Sequence, residues 1–176
     1  MSKKALFLDR DGVINVEKNY LYKIEDFEFV DGILELCHFF QDMGYIIIVV
    51  TNQAGIARGY YTEEDFIVLT DWMEKEFLDQ GITITKVYHC PHHEDITGPC
   101  ACRKPKPGML NEAMKHYDID TKGSLLIGDK ERDIQAGQAA GLSFTYLFTT
   151  EEISTTATKK VNNLTDILKD FHETSG

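Results

Sequence analysis

The 176-residue sequence has no long apolar run and few positively charged residues. Its longest wholly apolar segment, Ile46 to Val50, is far shorter than the ~20 residues that a membrane-spanning helix needs. Lys and Arg number 18 against 29 Asp and Glu, which gives a formal net charge of −11. Because a negative field repels polyanions, we expect neither a nucleic-acid partner nor a membrane partner. A small phosphate ester would have to be bound by local cations and a metal ion.

The sequence also lacks internal repeats, low-complexity tracts and a linker. Domains typically run to ~100 to 150 residues, so we expect a single domain over residues 1–176. Residues 1–4 lead directly into a strand-like segment, a pattern that does not resemble a cleavable signal. We therefore expect a cytoplasmic protein, and we expect it to be a monomer.

Short apolar runs alternate with segments that can form helices. This alternation is typical of an α/β fold in which a doubly wound parallel sheet is covered on both faces. The runs span 4–9, 45–51, 86–90, 124–129 and 142–148, and helices are predicted over 33–43, 63–80, 107–117 and 133–141, with a last short strand and a helix over 164–171. Ligands of such sheets bind beyond the carboxyl ends of the strands.

Two carboxylates, Asp9 and Asp11, follow the first apolar run and precede Gly12. This spacing suits phosphoryl transfer, because one carboxylate can attack phosphorus while the other handles the proton of the leaving group. The alternative is that Asp11 only forms a turn with Gly12. The pair alone is a weak signal, so its interpretation depends on the polar residues at other strand ends.

Further polar residues follow other predicted strands or precede a predicted helix. Thr51 and Asn52 follow the second run and offer a hydroxyl and an amide, while Lys104 offers a positive charge for a phosphoryl group. Asp129 follows the fourth run and offers a hard oxygen ligand that suits Mg²⁺. Each has a structural alternative, as a capping residue, a turn residue or part of a solvated basic loop. Four such residues in the order that one mechanism requires favour the catalytic interpretation.

In this order the residues resemble the four motifs of the haloacid dehalogenase (HAD) superfamily, over about the first 150 of the 176 residues. The resemblance implies a Rossmann-like core without a cap domain, and a phosphatase that forms an aspartyl-phosphate on Asp9. The implied catalytic residues are Asp9, Asp11, Thr51, Asn52 and Lys104. The implied Mg²⁺ ligands are Asp9, the backbone carbonyl of Asp11, and Asp129. Asp133 is either close to the metal or an acid that interacts with the helix dipole.

Three cysteines and several histidines cluster within residues 89–102. The pairs Cys90-Pro91-His92 and Cys100-Ala101-Cys102 are separated by seven residues. Three thiolates and one imidazole suit a closed tetrahedral site, so we predict a structural Zn²⁺. His92 fits the spacing best, although His89 and His93 leave that choice open. Reduced cysteines without a metal are the alternative, and Cys37 is predicted to lie in the core.

The zinc-binding pattern followed by CRKPKPGM at 102–109, together with TNQAGIARG at 51–59, resembles the heptose-bisphosphate phosphatases of the superfamily. The related histidinol-phosphate phosphatases are the alternative. The first resemblance implies removal of the C7 phosphate from D-glycero-D-manno-heptose 1,7-bisphosphate, a phosphorylated sugar used to make nucleotide-activated heptose. Because the second phosphate needs a binding site, Gln53, Arg58, Arg103 and Lys130 are predicted to bind substrate. The segment that carries the four predicted zinc ligands, residues 90–102 and called the zinc loop below, is shorter than in many of these enzymes. Which anomer of the sugar is preferred stays open.

Two other classes of protein share parts of this pattern. A phosphoacceptor domain also uses an aspartate and Mg²⁺ on a doubly wound sheet, but it has no use for Asp11 or for the zinc loop. A zinc-stabilised binding module would carry out no chemistry. Turnover of p-nitrophenyl phosphate with Mg²⁺ separates the phosphatase from both alternatives.

Overall fold

The computed structural model describes residues 2–172 and contains a six-stranded parallel sheet. The strands are β1 (Ala5–Leu8), β2 (Ile46–Asn52), β3 (Lys86–Cys90), β4 (Leu125–Gly128), β5 (Phe144–Phe148) and β6 (Lys159–Val161). Their order across the sheet is β3-β2-β1-β4-β5-β6. The predicted α/β fold with a doubly wound parallel sheet is confirmed.

Helices follow most of the strands. They are α1 (Ile33–Asp42), α2 (Glu63–Asp79), α3 (Glu94–Thr97), α4 (Gly108–Tyr117), α5 (Glu131–Ala139) and α6 (Asp166–His172), with a 3-10 turn at Ile24–Asp26. Five agree with the predicted helices to within about two residues, whereas α3 and the 3-10 turn were not predicted. Within residues 2–172 no helix is long and apolar enough to cross a membrane.

The core has two halves, one on each face of the sheet. Leu6 and Leu8 of β1 pack in the half that also contains buried side chains of α1, α2 and α6. Ala5 and Phe7 point to the opposite face, where they pack with buried side chains of α4 and α5. Side chains alternate between the faces of a strand, so a strand covered on both faces must be apolar throughout. This explains the continuous apolar run before Asp9.

The loop after β2 leads into a well-capped helix. The Thr62 hydroxyl accepts a hydrogen bond from the backbone N–H of Asp65 at 3.1 Å, and the Asp65 carboxylate accepts one from the backbone N–H of Thr62 at 2.9 Å. This capping box satisfies two backbone donors that the helix itself cannot pair. The capping box fixes the start of α2 and therefore also the position of Tyr61, the residue before Thr62.

The order of connections reverses between β1 and β4. The chain passes from β1 to β2 on one side, whereas β4 pairs with β1 on the other side. A crevice forms where the connections diverge, beyond the carboxyl ends of these strands. The backbone N–H of Asp9 donates to the carbonyl of Ile127 at 3.2 Å, which extends the pairing to the edge of the crevice. The residues after β1 and β4 therefore meet there.

Candidate active site

An open cleft of about 350 Å³ lies at this edge of the sheet, bounded by Asp9, Asp11, Lys104 and Asp129. These residues belong to three separate parts of the chain. Asp9 and Asp11 follow β1, Asp129 follows β4, and Lys104 lies in the loop before α4. The fold thus brings together the acids and the lysine for which the sequence predicted a common role.

Lys104 lies between two buried carboxylates. Its Nζ is 3.1 Å from Oδ1 of Asp9 and 2.7 Å from Oδ1 of Asp133, and it donates to the carbonyl of Val50 at 2.8 Å. Burial by itself lowers the pKa of Lys104, but Asp133 and Asp9 outweigh that effect and raise the pKa above its usual value. The lysine therefore stays positively charged in the neutral pH range.

The side chain of Asn52 holds the loop that carries Lys104. Its Nδ2 donates to the Lys104 carbonyl at 3.2 Å, and its Oδ1 accepts from the Lys104 backbone N–H at 3.0 Å. Thr51 is buried and does not line the cleft, and its hydroxyl oxygen accepts a hydrogen bond from Gln53 at 2.9 Å. The sequence predicted that Thr51 and Asn52 contact phosphoryl oxygens. Their side chains bond to neighbouring protein groups and Asn52 also lines the cleft, so that role stays a prediction.

Three acids crowd one corner of the cleft. Carboxylate oxygens of Asp9, Asp129 and Asp133 all lie within 4.8 Å of one another. Burial and then the charge of Asp133 raise the pKa of Asp9 well above its usual value, and they raise that of Asp129 to about 6. Lys104 is the lysine that pairs with this cluster, so a further cation would relieve the repulsion. A set of hard oxygen donors fits Mg²⁺.

Asp133 also caps the start of α5. Its carboxylate accepts hydrogen bonds from the backbone N–H groups of Asp129 at 3.2 Å and Lys130 at 3.1 Å. An acid in the first turn of a helix is stabilised by the unpaired N–H groups and by the helix dipole. Both alternatives considered for Asp133 therefore have a structural counterpart, since the same side chain caps the helix and lies in the acidic cluster.

Gly12 leaves the space that Asp129 needs. A Cβ atom at residue 12 would lie 2.1 Å from Oδ2 of Asp129, far inside van der Waals contact. The backbone there has φ of +91°, a conformation that residues with a side chain seldom adopt. The loop after β1 can approach the loop after β4 only because residue 12 is glycine.

The predicted substrate-binding cations are in two different places. Arg103 and Lys130 line the cleft. Arg58 does not line it, because its guanidinium lies 3.0 Å from Nε2 of His93 in the zinc loop. Arg132 also lines the cleft, although the sequence analysis did not select it. Its position in the first turn of α5, three residues after Asp129, was the available signal.

The four predicted zinc ligands converge beside the cleft. Nδ1 of His92 is 3.5 Å from the sulfur of Cys90 and 3.3 Å from that of Cys102, and the Cys100 sulfur is 3.6 Å from each of the other two sulfurs. The Cys90 and Cys102 sulfurs are closer, at 2.7 Å. Ligand atoms around a tetrahedral Zn²⁺ with Zn–S bonds of ~2.3 Å are about 3.8 Å apart. The donor set of three thiols and one imidazole fits zinc, although the Cys90 and Cys102 sulfurs lie closer than this spacing, and the histidine of the cluster is His92.

Comparison with known proteins agrees with this arrangement. Residues 101–174 match the family described as HAD-hydrolase-like. A D-glycero-alpha-D-manno-heptose-1,7-bisphosphate 7-phosphatase of Campylobacter jejuni is 52% identical over 173 residues, which cover 98% of each chain. A D-glycero-beta-D-manno-heptose-1,7-bisphosphate 7-phosphatase of Pasteurella multocida is 44% identical and covers 92% of this chain and 90% of its own.

Solved structures show the same fold. A putative HAD-like phosphatase from Mesorhizobium loti superposes with a TM-score of 0.87 at 34% identity, covering 98% of this chain and 87% of its own. The D,D-heptose 1,7-bisphosphate phosphatase of B. bronchiseptica, solved with magnesium and phosphate, gives a TM-score of 0.85 at 27% identity, covering 97% of this chain and 99% of its own. The chain therefore belongs to the HAD superfamily and, within it, to the family of the heptose-1,7-bisphosphate 7-phosphatases.

Proposed function

We propose that this protein is a Mg²⁺-dependent phosphatase that removes the C7 phosphate of D-glycero-D-manno-heptose 1,7-bisphosphate and so supplies the 1-phosphate for nucleotide-activated heptose. The observation that carries the proposal is that Arg103 and Lys130 line the same cleft as Asp9. A bisphosphate has a second phosphate that does not react, and cations beyond the reacting centre can bind it. The relatives that match nearly the whole chain carry this activity in their names.

Asp9 is the nucleophile in this proposal. Its carboxylate oxygen attacks phosphorus in line, so that a bond forms from Asp9 to phosphorus while the bond from phosphorus to the sugar oxygen breaks. Lys104, 3.1 Å from Oδ1 of Asp9, balances negative charge on the phosphoryl group during this step. Water then attacks the phosphorus of the acyl phosphate, which releases inorganic phosphate and restores the carboxylate.

Asp11 carries out the two proton transfers. Its carboxyl group gives a proton to the sugar oxygen as that oxygen leaves, and its carboxylate then takes a proton from the attacking water. A sugar alkoxide is a poor leaving group without this proton. Asp11 lines the same cleft as Asp9, which supports this role.

Asp9, Asp129 and the backbone carbonyl of Asp11 would hold the Mg²⁺. The crowding of the acidic cluster supports this assignment, because the pKa values of Asp9 and Asp129 are raised by burial and by Asp133. When bound, the ion supplies Lewis-acid stabilisation of charge on the phosphoryl oxygens. In the same way, Cys90, His92, Cys100 and Cys102 would hold a structural Zn²⁺ that fixes the loop before Arg103.

The proposal includes a cytoplasmic enzyme that acts as a monomer. All the groups that the mechanism uses belong to one chain, so no second copy is needed to complete the cleft. The excess of acidic residues also favours a small substrate over nucleic acid or an anionic membrane surface.

The test compares several phosphate esters side by side, with Mg²⁺ present. The substrates are the alpha and beta anomers of the heptose 1,7-bisphosphate, histidinol phosphate and p-nitrophenyl phosphate, and the products are identified by NMR. We expect the highest kcat/KM with one of the heptose anomers, with release of the C7 phosphate. An equal or higher kcat/KM with histidinol phosphate would favour the related histidinol-phosphate phosphatases instead. If none of the esters is hydrolysed, the protein is a phosphoacceptor domain or a binding module and not a phosphatase.

Arg103→Ala tests the site for the second phosphate. If Arg103 binds that phosphate, kcat/KM should fall much more for the bisphosphate than for p-nitrophenyl phosphate, because binding energy far from the reacting bond is lost. Lys115→Ala is the control, since it removes an exposed cation of α4 that does not line the cleft. An equal loss on both esters would assign Arg103 a role at the reacting phosphate.

A further inference from the structure

Both groups of the Gln53 amide are used inside the protein. The residue is only 3% exposed. Its Nε2 donates to Oδ2 of Asp11 at 3.0 Å and to the hydroxyl oxygen of Thr51 at 2.9 Å, and its Oε1 accepts from the hydroxyl of Tyr61. An amide nitrogen only donates and an amide oxygen only accepts, and the proton on the Tyr61 hydroxyl requires the oxygen side. The amide therefore has one orientation, with both of its N–H donors used by protein groups.

Tyr61 is held in a rigid setting behind Gln53. It is 6% exposed, its ring stacks on Tyr22 with centroids 5.4 Å apart, and it precedes the capping box of α2. A Cβ atom on Gly55 would lie 2.2 Å from the Tyr61 ring, so only glycine allows this close packing. Burial raises the pKa of Tyr61 above its usual value, so the hydroxyl keeps its proton and remains a donor.

The carboxylate of Asp11 has two other side-chain partners, both from its own loop. Oδ1 accepts from Arg10 at 2.9 Å and from Asn15 at 3.1 Å, and Oδ2 lies 3.1 Å from the same Arg10 nitrogen. Gln53 is different, because it reaches Oδ2 from the loop after β2. It is thus the contact that ties the rotation of the Asp11 carboxylate to the neighbouring strand.

We propose that Gln53 is a positioning residue, which holds the carboxylate of Asp11 in the orientation needed for proton transfer and is itself oriented by Tyr61. This inference rests on the proposed function, because it concerns the proton that Asp11 gives to the leaving oxygen. From the sequence, Gln53 was predicted to bind substrate, and it lines the cleft with Asp11. Its contact with the acid–base residue points to the positioning role.

The consequence is a specific defect in leaving-group activation. As the bond from Asp9 to phosphorus forms and the ester bond breaks, the proton moves from Asp11 to the leaving oxygen. A misplacement of about 1 Å at such a site can lower the rate ~10²-fold. Phenolate is a poor leaving group, since phenol has a pKa of about 10 like that of tyrosine, and it needs the proton. Nitrophenolate leaves readily without it.

The experiment measures kcat and KM of Gln53→Glu and Gln53→Leu with phenyl phosphate and p-nitrophenyl phosphate at saturating Mg²⁺. Glutamate keeps the length of glutamine and presents an oxygen to Asp11 where the wild type has a donor. Leucine removes both amide groups. We expect kcat/KM, which includes departure of the leaving group but not the later attack of water, to fall about tenfold or more further with phenyl phosphate than with p-nitrophenyl phosphate. Tyr61→Phe should act in the same direction with a smaller effect.

Two matched controls make the same chemical changes far from the cleft. Gln41→Leu removes an amide that bridges the Gly81 carbonyl and the Thr83 backbone N–H, each at 2.8 Å. Tyr146→Phe removes a hydroxyl that donates to Asp170 at 3.0 Å. Both variants should leave the ratio of kcat/KM for phenyl phosphate to kcat/KM for p-nitrophenyl phosphate at its wild-type value. If Gln53→Leu does not unfold cooperatively, Gln53→Glu and Tyr61→Phe decide the question.

Three results would overturn the inference. Equal losses of kcat/KM on both esters with a raised KM would return Gln53 to substrate binding, equal losses of kcat/KM with an unchanged KM would make it a structural residue, and wild-type kinetics would leave it without a role. A wild-type protein that hydrolyses both aryl esters but not the heptose bisphosphate would overturn the proposed substrate. The ratio of kcat/KM for the two aryl esters, compared between the variants and the wild type, would then still decide the role of Gln53.

Discussion

Lys104 is the residue on which the arrangement of the acidic cluster depends. It pairs with Asp9 and Asp133 in a setting where its side chain is 2% exposed. Removing one partner of a buried charge pair leaves the other without compensation, which costs far more than losing a surface pair. Burial and the remaining repulsion from Asp133, which together raise the pKa values of Asp9 and Asp129, make this corner of the cleft receptive to a metal cation.

Asp9→Asn should abolish phosphatase turnover and leave the fold intact. The amide fills the same volume but cannot attack phosphorus. The negative charge of Asp9 is disfavoured by burial and by Asp133, and Lys104 keeps its ion pair with Asp133 at 2.7 Å, so the substitution should change Tm little. Steady-state assays with p-nitrophenyl phosphate and thermal unfolding measure the two effects, with Asp79→Asn at the exposed end of α2 as the control. Near-normal turnover by Asp9→Asn would contradict the covalent mechanism.

Gly12→Ala should weaken Mg²⁺ binding, whereas the matched variant Gly44→Ala should not. The new Cβ would lie 2.1 Å from Oδ2 of Asp129, so the carboxylate has to move. Gly44→Ala is the matched control, since Gly44 has φ of +89° against +91° for Gly12 and has open space around it. Both variants carry the cost of a left-handed backbone, about 1–2 kcal/mol. Calorimetric titration with Mg²⁺ should show weaker binding for Gly12→Ala alone, and equal binding by the two variants would refute the steric argument.

At the scale of elements, the zinc loop between β3 and α4 connects metal binding to the cleft. Cys90 ends β3, and Cys102 comes immediately before Arg103 and Lys104. The guanidinium of Arg103 donates to the carbonyl of His92 at 3.4 Å, and Asn52 binds the Lys104 backbone from the other side. The loop is therefore fixed at both ends, by the cysteine cluster and by the strand next to Asp9.

Cys100→Ser and Cys102→Ser should lose zinc and part of the activity. Metal analysis of the wild type should find about one Zn per chain, because three thiolates and one imidazole fill a tetrahedral site. Activity should fall because Arg103 and Lys104 lose their fixed placement. Cys37→Ala is the control, since Cys37 is a buried thiol in α1 outside the cluster and should leave the zinc content unchanged. Zinc-free protein with full stability and activity would refute the structural role.

At the scale of the whole molecule, the acidic cluster couples stability to pH and to Mg²⁺. Burial, followed by Asp133, raises the pKa of Asp129 from its usual 3.8 to about 6. Between these two values the folded protein binds more protons than the unfolded chain does. The free energy of unfolding therefore decreases as the pH rises through this window, as far as this group is concerned.

We expect Mg²⁺ to raise Tm more at pH 8 than at pH 5. At the lower pH a proton on Asp129 competes with the cation, whereas at the higher pH Asp129 is ionised and the bound ion stabilises the folded state. Thermal unfolding with Mg²⁺ and with EDTA at each pH measures the difference. A larger effect of Mg²⁺ at pH 5 would contradict the raised pKa of Asp129.

The alternation of apolar runs and helical segments was sufficient to predict the sheet, because each strand buried on both faces must be apolar along its length. It missed α3 and the 3-10 turn, since such short elements have no apolar periodicity of their own. Asp9 and Asp129 could be found from sequence for a related reason, whereas Lys104, in the loop before α4, was found from the resemblance to the HAD motifs. Carboxyl ends of parallel strands share one edge, so polar residues at strand ends are brought together by the topology.

The sequence by itself thus determined the fold class, the family resemblance and the residues that meet at the edge of the sheet. Only the tertiary structure decided which partner each side chain has there. Arg58 binds His93 and Gln53 binds Asp11, across 35 and 42 residues of sequence. The reason is that local patterns specify the direction of the backbone, whereas a hydrogen bond depends on the placement of two side chains to within a few tenths of an ångström. That placement is set by the packing of loops that are distant in sequence.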